Sequence, residues 1–135
     1  MMTAKPPVTV AYVYDRHISQ NKTLLQVRID ACITFIEAQR WQIGGYFLDQ
    51  GEDATSLDRR PALDHLCNKM RSDASQATQH LCLVYELGRF ANDQQVRDAL
   101  MRRIFKVGGS VQTIHGQRLS PNGVLADMPT IGRTA

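Results

Sequence analysis

The sequence predicts an α/β domain of three layers, a mainly parallel four-stranded sheet with helices on both faces. Strand-like and helical segments alternate in the order β-α-β-α-β-α-β, the pattern of a parallel sheet wrapped by helices. The strand runs are β-branched and aromatic with little polar alternation, as strands buried on both faces should be. Two runs end in charge, Asp15 and Arg16 after the first and Glu86 and Arg89 after the third. Ligands of such sheets gather beyond the carboxyl ends of the strands, so these two ends should meet at one site.

Each element has its own signal. Pro6 and Pro7 block regular pairing and make residues 1–7 a disordered tail. Residues 8–14, Val-Thr-Val-Ala-Tyr-Val-Tyr, form the first strand, and 15–21 read as a polar loop. A helical period begins at Lys22 and ends near Gln39. Leu24, Val27, Ala31 and Phe35 make one stripe, with Leu25, Ile29, Cys32 and Ile36 beside it. Residues 41–48 form a second strand, kinked at Gly44 and Gly45, with Trp41 packed in the core. Residues 49–60 form a polar loop long enough to signal function or mobility. Pro61 suits the first turn of a second helix with the apolar face Leu63, Leu66, Cys67 and Met70.

A polar connector at 72–79 leads into a third strand at 80–85. Asn92 or Asp93 caps the third helix, whose face is Val96, Leu100, Ile104 and Phe105, and Gly108 and Gly109 stop it. Residues 110–114 make a short fourth strand. After His115 the pattern gives way to Gly, Pro, Asn and Ser. One domain over 8–115 is therefore expected, followed by a C-terminal tail over 116–135.

A chain of 135 residues is long enough to bury a core, and 43% hydrophobic with 21% charged residues is ordinary for a globular protein. No apolar run approaches the ~18 residues that span a bilayer, and the first residues lack the apolar stretch of a signal peptide, so no membrane contact and a cytoplasmic location are expected. Cys32, Cys67 and Cys82 lie in apolar periodic segments without metal-ligand spacing and read as buried, reduced thiols. His17, His65, His80 and His115 share no spacing, so neither a metal nor a cofactor is expected. A net charge of +3 fits nucleic-acid contact without arguing for it.

Four segments carry more specific information. Val10-Ala-Tyr-Val13 lies in the first strand, and Gln20 and Arg28 follow it. Asp49-Gln-Gly51 precedes Ser56-Leu-Asp-Arg59-Arg-Pro-Ala-Leu63, and Leu83-Val-Tyr-Glu-Leu-Gly-Arg89-Phe-Ala-Asn92 closes the third strand. In this order they resemble the N-terminal catalytic domain of serine recombinases, the resolvase/invertase family, with its patterns V-A-Y-x-R-x-S, D-E-G-x-S-G-x-S-L-D-R-P-A-L and V-x-K-L-D-R-L-x-R. The resemblance covers about residues 8–115 and implies a resolvase catalytic-domain-like fold.

It also implies a chemistry, that of DNA recombination in a mobile-element setting. A serine hydroxyl attacks a DNA phosphodiester and stays joined to the phosphate, as covalent catalysis requires. Clustered arginines stabilise the charge that develops on phosphorus, because the planar guanidinium matches phosphate oxygens and stays protonated. No metal is required.

Against that pattern the site is stripped. Tyr14 stands at the first-strand arginine, Arg16 at the nucleophilic serine, Asp53 at the loop serine and Ala54 at its glycine neighbour. Gly88 replaces the acidic residue before the retained Arg89, and Asn92 replaces the second arginine of that motif. The arginine before Pro61 survives as Arg59 or Arg60. At ~5 Å and an effective dielectric near ~20, the charge of Asp53 would repel a phosphate by roughly 3 kcal/mol. The family's long dimer helix and helix-turn-helix module have no counterpart in residues 116–135.

Three readings follow. In the first, the chain is a degenerate serine recombinase, a pseudoenzyme that works by binding. Arg89, Arg60, Arg59 and Arg16 are its candidate phosphate contacts. Its partners are DNA held weakly by the backbone, another recombinase-family protein or a second copy of the chain. In the second, strand transfer or nicking survives with Ser19 as a displaced nucleophile. In the third, the strand ends bind a protein or small ligand with no DNA role. Arg102, Arg103 and Lys106 read as a solvated face, Arg89 also reads as an ion-pair partner of Glu86 or Asp93, and Tyr14 reads as packing that fills the vacated arginine site.

Overall fold

The computed structural model describes residues 8–56, 59–74, 78–121 and 123–124. The chain runs β1 (Val8–His17), α1 (Lys22–Gln39), β2 (Gln42–Gln50), a 3-10 turn (Gly51–Ala54), α2 (Pro61–Asp73) and β3 (Thr78–Val84). A second 3-10 turn (Leu87–Arg89), α3 (Gln94–Lys106), β4 (Ser110–Thr113), β5 (Arg118–Ser120) and β6 (Gly123–Val124) complete it. The sheet order is β2-β1-β3-β4-β5-β6. The first four strands are parallel, and β5 and β6 are antiparallel additions at one end. The chain passes from β1 to β2 on one side and then crosses to β3 on the other. The order therefore reverses between β1 and β3, which opens a crevice at their carboxyl ends.

Period-two alternation along β1 sorts its side chains between the two outer layers. Ala11 and Val13 meet Cys32 and Ile36 of α1, together with Leu81 and Leu83 of β3. Tyr12 and Tyr14 face the opposite way, into a core with Leu63, Leu66 and Met70 of α2 and Leu100 and Ile104 of α3. One helix thus covers one face and two cover the other. Of the two stripes predicted on α1, the sheet takes the one with Leu25, Cys32 and Ile36. Leu24 and Val27 remain 54% exposed, because only one arc of a helix can face a flat sheet.

Two details differ from the sequence pattern, and one expected irregularity is present. β1 continues through Asp15, Arg16 and His17, which pair with Leu48, Asp49 and Gln50 of a longer β2. These polar residues stay in a strand because their side chains find partners on other elements. Gly44 and Gly45 do mark an irregularity: the β1–β2 register shifts between Ala11 and Tyr12, and Gly45 adopts φ 139°. A Cβ on Gly44 would lie 2.4 Å from the Tyr12 ring, so the ring requires glycine there. Finally, β5 and β6 fall within the stretch that reads as a tail. Arg118 anchors β5, with Nε donating to Gln112 Oε1 at 2.8 Å and the guanidinium 5.8 Å above the half-buried Trp41 ring. Such contacts leave no apolar period to recognise. Residues 1–7 and 125–135 lie outside the described residues.

The three cysteines are buried and unpaired with one another. Burial pushes the Cys32 thiol up to about 12 and the Cys67 thiol to about 11, and raises Cys82 well above the usual range. Among the described residues no helix is long and apolar enough to cross a membrane, and no group of His, Cys, Asp and Glu is arranged to hold a metal.

Candidate functional site

The crevice between β1 and β3 holds two polar networks, one on each face of the sheet. On the α2–α3 face, Asp49 at the end of β2 points at the N-terminus of α2. Its Oδ1 accepts from the Ala62 amide at 2.8 Å, and Oδ2 accepts from Leu63 at 3.3 Å and from the Tyr14 hydroxyl at 2.8 Å. Pro61 at the first helical position has no amide to offer, so Asp49 serves the next two. Arg60 lies on the other side of the hydroxyl. Its Nη1 donates to Tyr14 Oη at 3.3 Å and to the Phe90 carbonyl at 2.6 Å, and Nε donates to the Ser56 carbonyl at 2.7 Å. The Tyr14 ring stacks on Phe90 at 5.5 Å. Burial and the Asp49 charge push the Tyr14 pKa up, and Arg60 only partly offsets them, so the hydroxyl keeps its proton.

Arg16 reaches across the same face. Its Nε donates to the Gly88 carbonyl at 3.0 Å, Nη1 to the Ala54 carbonyl at 3.3 Å and Nη2 to Asn92 Oδ1 at 3.0 Å. It is 6% exposed. Burial and the nearby charges of Arg89 and Arg60 hold its guanidinium below the usual arginine range.

On the α1 face, Arg28 grips Asp15 with both arms of its fork, Nε to Oδ2 at 2.8 Å and Nη2 to Oδ1 at 3.0 Å. The same Nη2 lies 3.1 Å from His17 Nδ1. A guanidinium only donates, so Nδ1 accepts and the neutral ring carries its proton on Nε2. Arg89 joins the two faces: Nη1 donates to the Arg16 carbonyl at 3.0 Å and stands 3.7 Å from Asp15 Oδ1. Arg89 Nε is 3.6 Å from Glu86 Oε1, an ion-pair distance too long for a hydrogen bond, and Nε and His17 Nε2 are buried without a hydrogen-bond partner.

The structure therefore brings Arg16, Arg60 and Arg89 together and separates the other candidates from them. Arg60 is 1% exposed, and its donors, like those of Arg16, are occupied by the protein's own oxygens. Arg89 keeps a side chain 20% exposed. Arg59 is exposed on the surface, with its amide bonded to Ser56 Oγ. Ser19 is exposed on the loop after β1, where its Oγ accepts from the Asn21 amide at 3.0 Å. Asp93 turns away from Arg89 and caps α3 through the Val96 amide. The Asp15–Arg28 and Arg16–Asn92 pairs were not legible beforehand. For the first pair the sequence signal was an acidic residue at a strand end and a basic one on the following helix.

A parallel sheet that switches direction at a crevice lined with arginines is the architecture of the serine recombinase catalytic domain. The sequence profile described as Resolvase, N terminal domain matches residues 11–128, and the chain belongs to that family. Solved structures with the same fold include the N-terminal catalytic domain of TP901-1 integrase, 22% identical with a TM-score of 0.61 over 78% of this chain and 77% of that one. The C-terminal catalytic domain of ISC1926 TnpA, an IS607-like serine recombinase, aligns with a TM-score of 0.62 and 13% identity over 78% and 69% of the two chains. A resolvase family site-specific recombinase from Streptococcus pneumoniae gives 0.60 and 19% over 80% and 72%. No curated protein matches the chain.

Proposed function

We propose that this resolvase-family domain binds DNA through its phosphate backbone without cutting it, acting as an accessory to recombination rather than as a recombinase. One observation carries this reading: Arg16, at the position of the family's nucleophilic serine, is held inward on Gly88, Ala54 and Asn92. All three contacts lie at positions where the chain departs from the family pattern. Of these, the Asn92 amide pairs with Arg16 through its own side chain, so two of the departures are held together as structure. A cationic crevice remains, with Arg89 at its rim and Arg59 on the neighbouring loop to meet phosphate oxygens.

The test is incubation of the full chain with supercoiled DNA, followed by denaturation to trap covalent protein–DNA adducts, beside a filter-retention titration against salt. Retention that weakens steeply with salt, with no adduct, supports the reading. Adducts that vanish on Ser19→Ala or Ser56→Ala would overturn it in favour of a displaced nucleophile. Absence of retention even at low ionic strength would overturn it in favour of a module with no DNA role.

A further inference from the structure

Beside the start of β4, at the end of the sheet opposite the arginine crevice, lies a recess of about 350 Å³, a volume within the range of small-molecule sites. Its walls include Leu81 of β3, Ser110 of β4, and Arg118, Ser120 and Pro121 in and after β5. Leu81 and Leu83 pack on the α1 side of the sheet and pair in register with Ser110 and Gln112. Gln112 pairs in turn with Arg118. Strand alternation therefore puts Ser110, Gln112 and Arg118 on that same face. Ser110 and Arg118 are diagonal neighbours on adjacent strands, a spacing that a long side chain spans.

Arg118 is held in place from two directions. Its Nε donates to Gln112 Oε1 at 2.8 Å, and Gln112 is itself oriented by donating from Nε2 to the Thr113 carbonyl at 3.0 Å. The Trp41 ring stands 5.8 Å from the guanidinium carbon and is braced edge-on by Phe35 at 5.6 Å. Nη1, Nη2 and the Ser110 hydroxyl have no hydrogen-bond partner among the described residues. Burial lowers the Arg118 guanidinium from the usual arginine range, and no acidic neighbour offsets it. A partly buried cation is stabilised by a partner of opposite sign, and a fixed guanidinium presents two parallel donors to an oxyanion. We propose that this recess binds the phosphate group of a small phosphate monoester. Arg118 Nη1 and Nη2 donate to two of its oxygens and the Ser110 hydroxyl to a third. Donors converging from two strands suit a tetrahedral oxyanion better than a planar carboxylate, and Leu81 and Pro121 wall the space left for the organic part of the ester. The site is independent of the crevice and of the reading given to it.

Trp41 is the single tryptophan of the chain, so its emission reports on Arg118. The full chain is titrated with inorganic phosphate, with a sugar 5-phosphate and with sodium chloride at matched ionic strength. Thermal melts in the same solutions give a second readout, because a ligand of the folded state raises Tm. A saturable emission change and a raised Tm are expected, tighter for the ester than for inorganic phosphate and absent in chloride. In the melts, Arg118→Gln weakens ester binding at least about tenfold, Ser110→Ala weakens it about threefold, and Arg118→Lys, which keeps the charge without the fork, falls between wild type and Arg118→Gln. Circular dichroism verifies that each variant is folded. A response equal to that of chloride, or ester binding that survives Arg118→Gln, would overturn the site. Filter retention of duplex DNA separates the two sources of phosphate. A salt slope unchanged in Arg118→Gln supports the small ester, and a slope reduced by about one would overturn that assignment in favour of a DNA phosphate.

Discussion

Arg16 donates from Nη2 to Oδ1 of Asn92 at 3.0 Å, joining the end of β1 to the loop that leads into α3. The two side chains are donor and acceptor in one structural bond. Removing Arg16 by Arg16→Ala leaves this acceptor and the Gly88 and Ala54 carbonyls without their partner, which costs about 2 kcal/mol. Urea denaturation checks it, as a lower midpoint at unchanged slope.

On the proposed reading of a domain that binds without cutting, a serine at position 16 does not by itself bring about strand cleavage. Arg16→Ser leaves Tyr14, Gly88 and Asn92 in place of the family's arginines and acidic residue, so the phosphate still lacks most of the donors that would stabilise its transition state. Supercoiled DNA incubated with Arg16→Ser stays uncut.

Tyr14 separates Arg60 from Asp49, accepting from one and donating to the other. Tyr14→Phe removes both bonds but keeps the stack on Phe90, and costs about 1–2 kcal/mol in the same denaturation assay.

His80 provides a pH handle at the opposite end of the sheet. The Tyr12 hydroxyl donates to Asp73 Oδ2 at 2.9 Å and lies 2.9 Å from His80 Nδ1, so Nδ1 carries the proton and donates to the hydroxyl. Nε2 is buried without a partner, and burial, more than the offsetting charge of Asp73, lowers the His80 pKa from 6.5. The unfolded chain therefore takes the proton first, and the contribution of His80 to stability is full above pH 6.5 and declines as pH falls through that value. Thermal melts across pH 5–8 should lose this component of the slope in His80→Gln, whose amide keeps a donor near Tyr12.

At the crevice rim, Arg89→Ala and Arg59→Ala should each weaken DNA retention and reduce the salt slope by about one. Arg60, being enclosed, should change folding stability instead. A filter-retention series at several salt concentrations, read beside denaturation curves, separates the two effects.

The alternation of strand and helix, the burial of the β1 and β3 runs and the family of the chain were all legible in the sequence, because each rests on a local period or a short motif. So was the gathering of Arg16 and Arg89, since a parallel sheet brings its strand ends together. Which residues those arginines would hold was not legible. Asp15 and Arg28, Arg16 and Asn92, and Arg60 and Tyr14 come from separate elements, and their pairing depends on the sheet order and on β1 running to His17. The stripe of α1 left exposed and the open edge of β2 are likewise set by which face meets the sheet and where the sheet stops. Local periodicity determined the elements and their order; only the tertiary structure decided that Arg16 and Arg60 turn inward, because that depends on carbonyl oxygens of other segments coming within about 3 Å of a guanidinium.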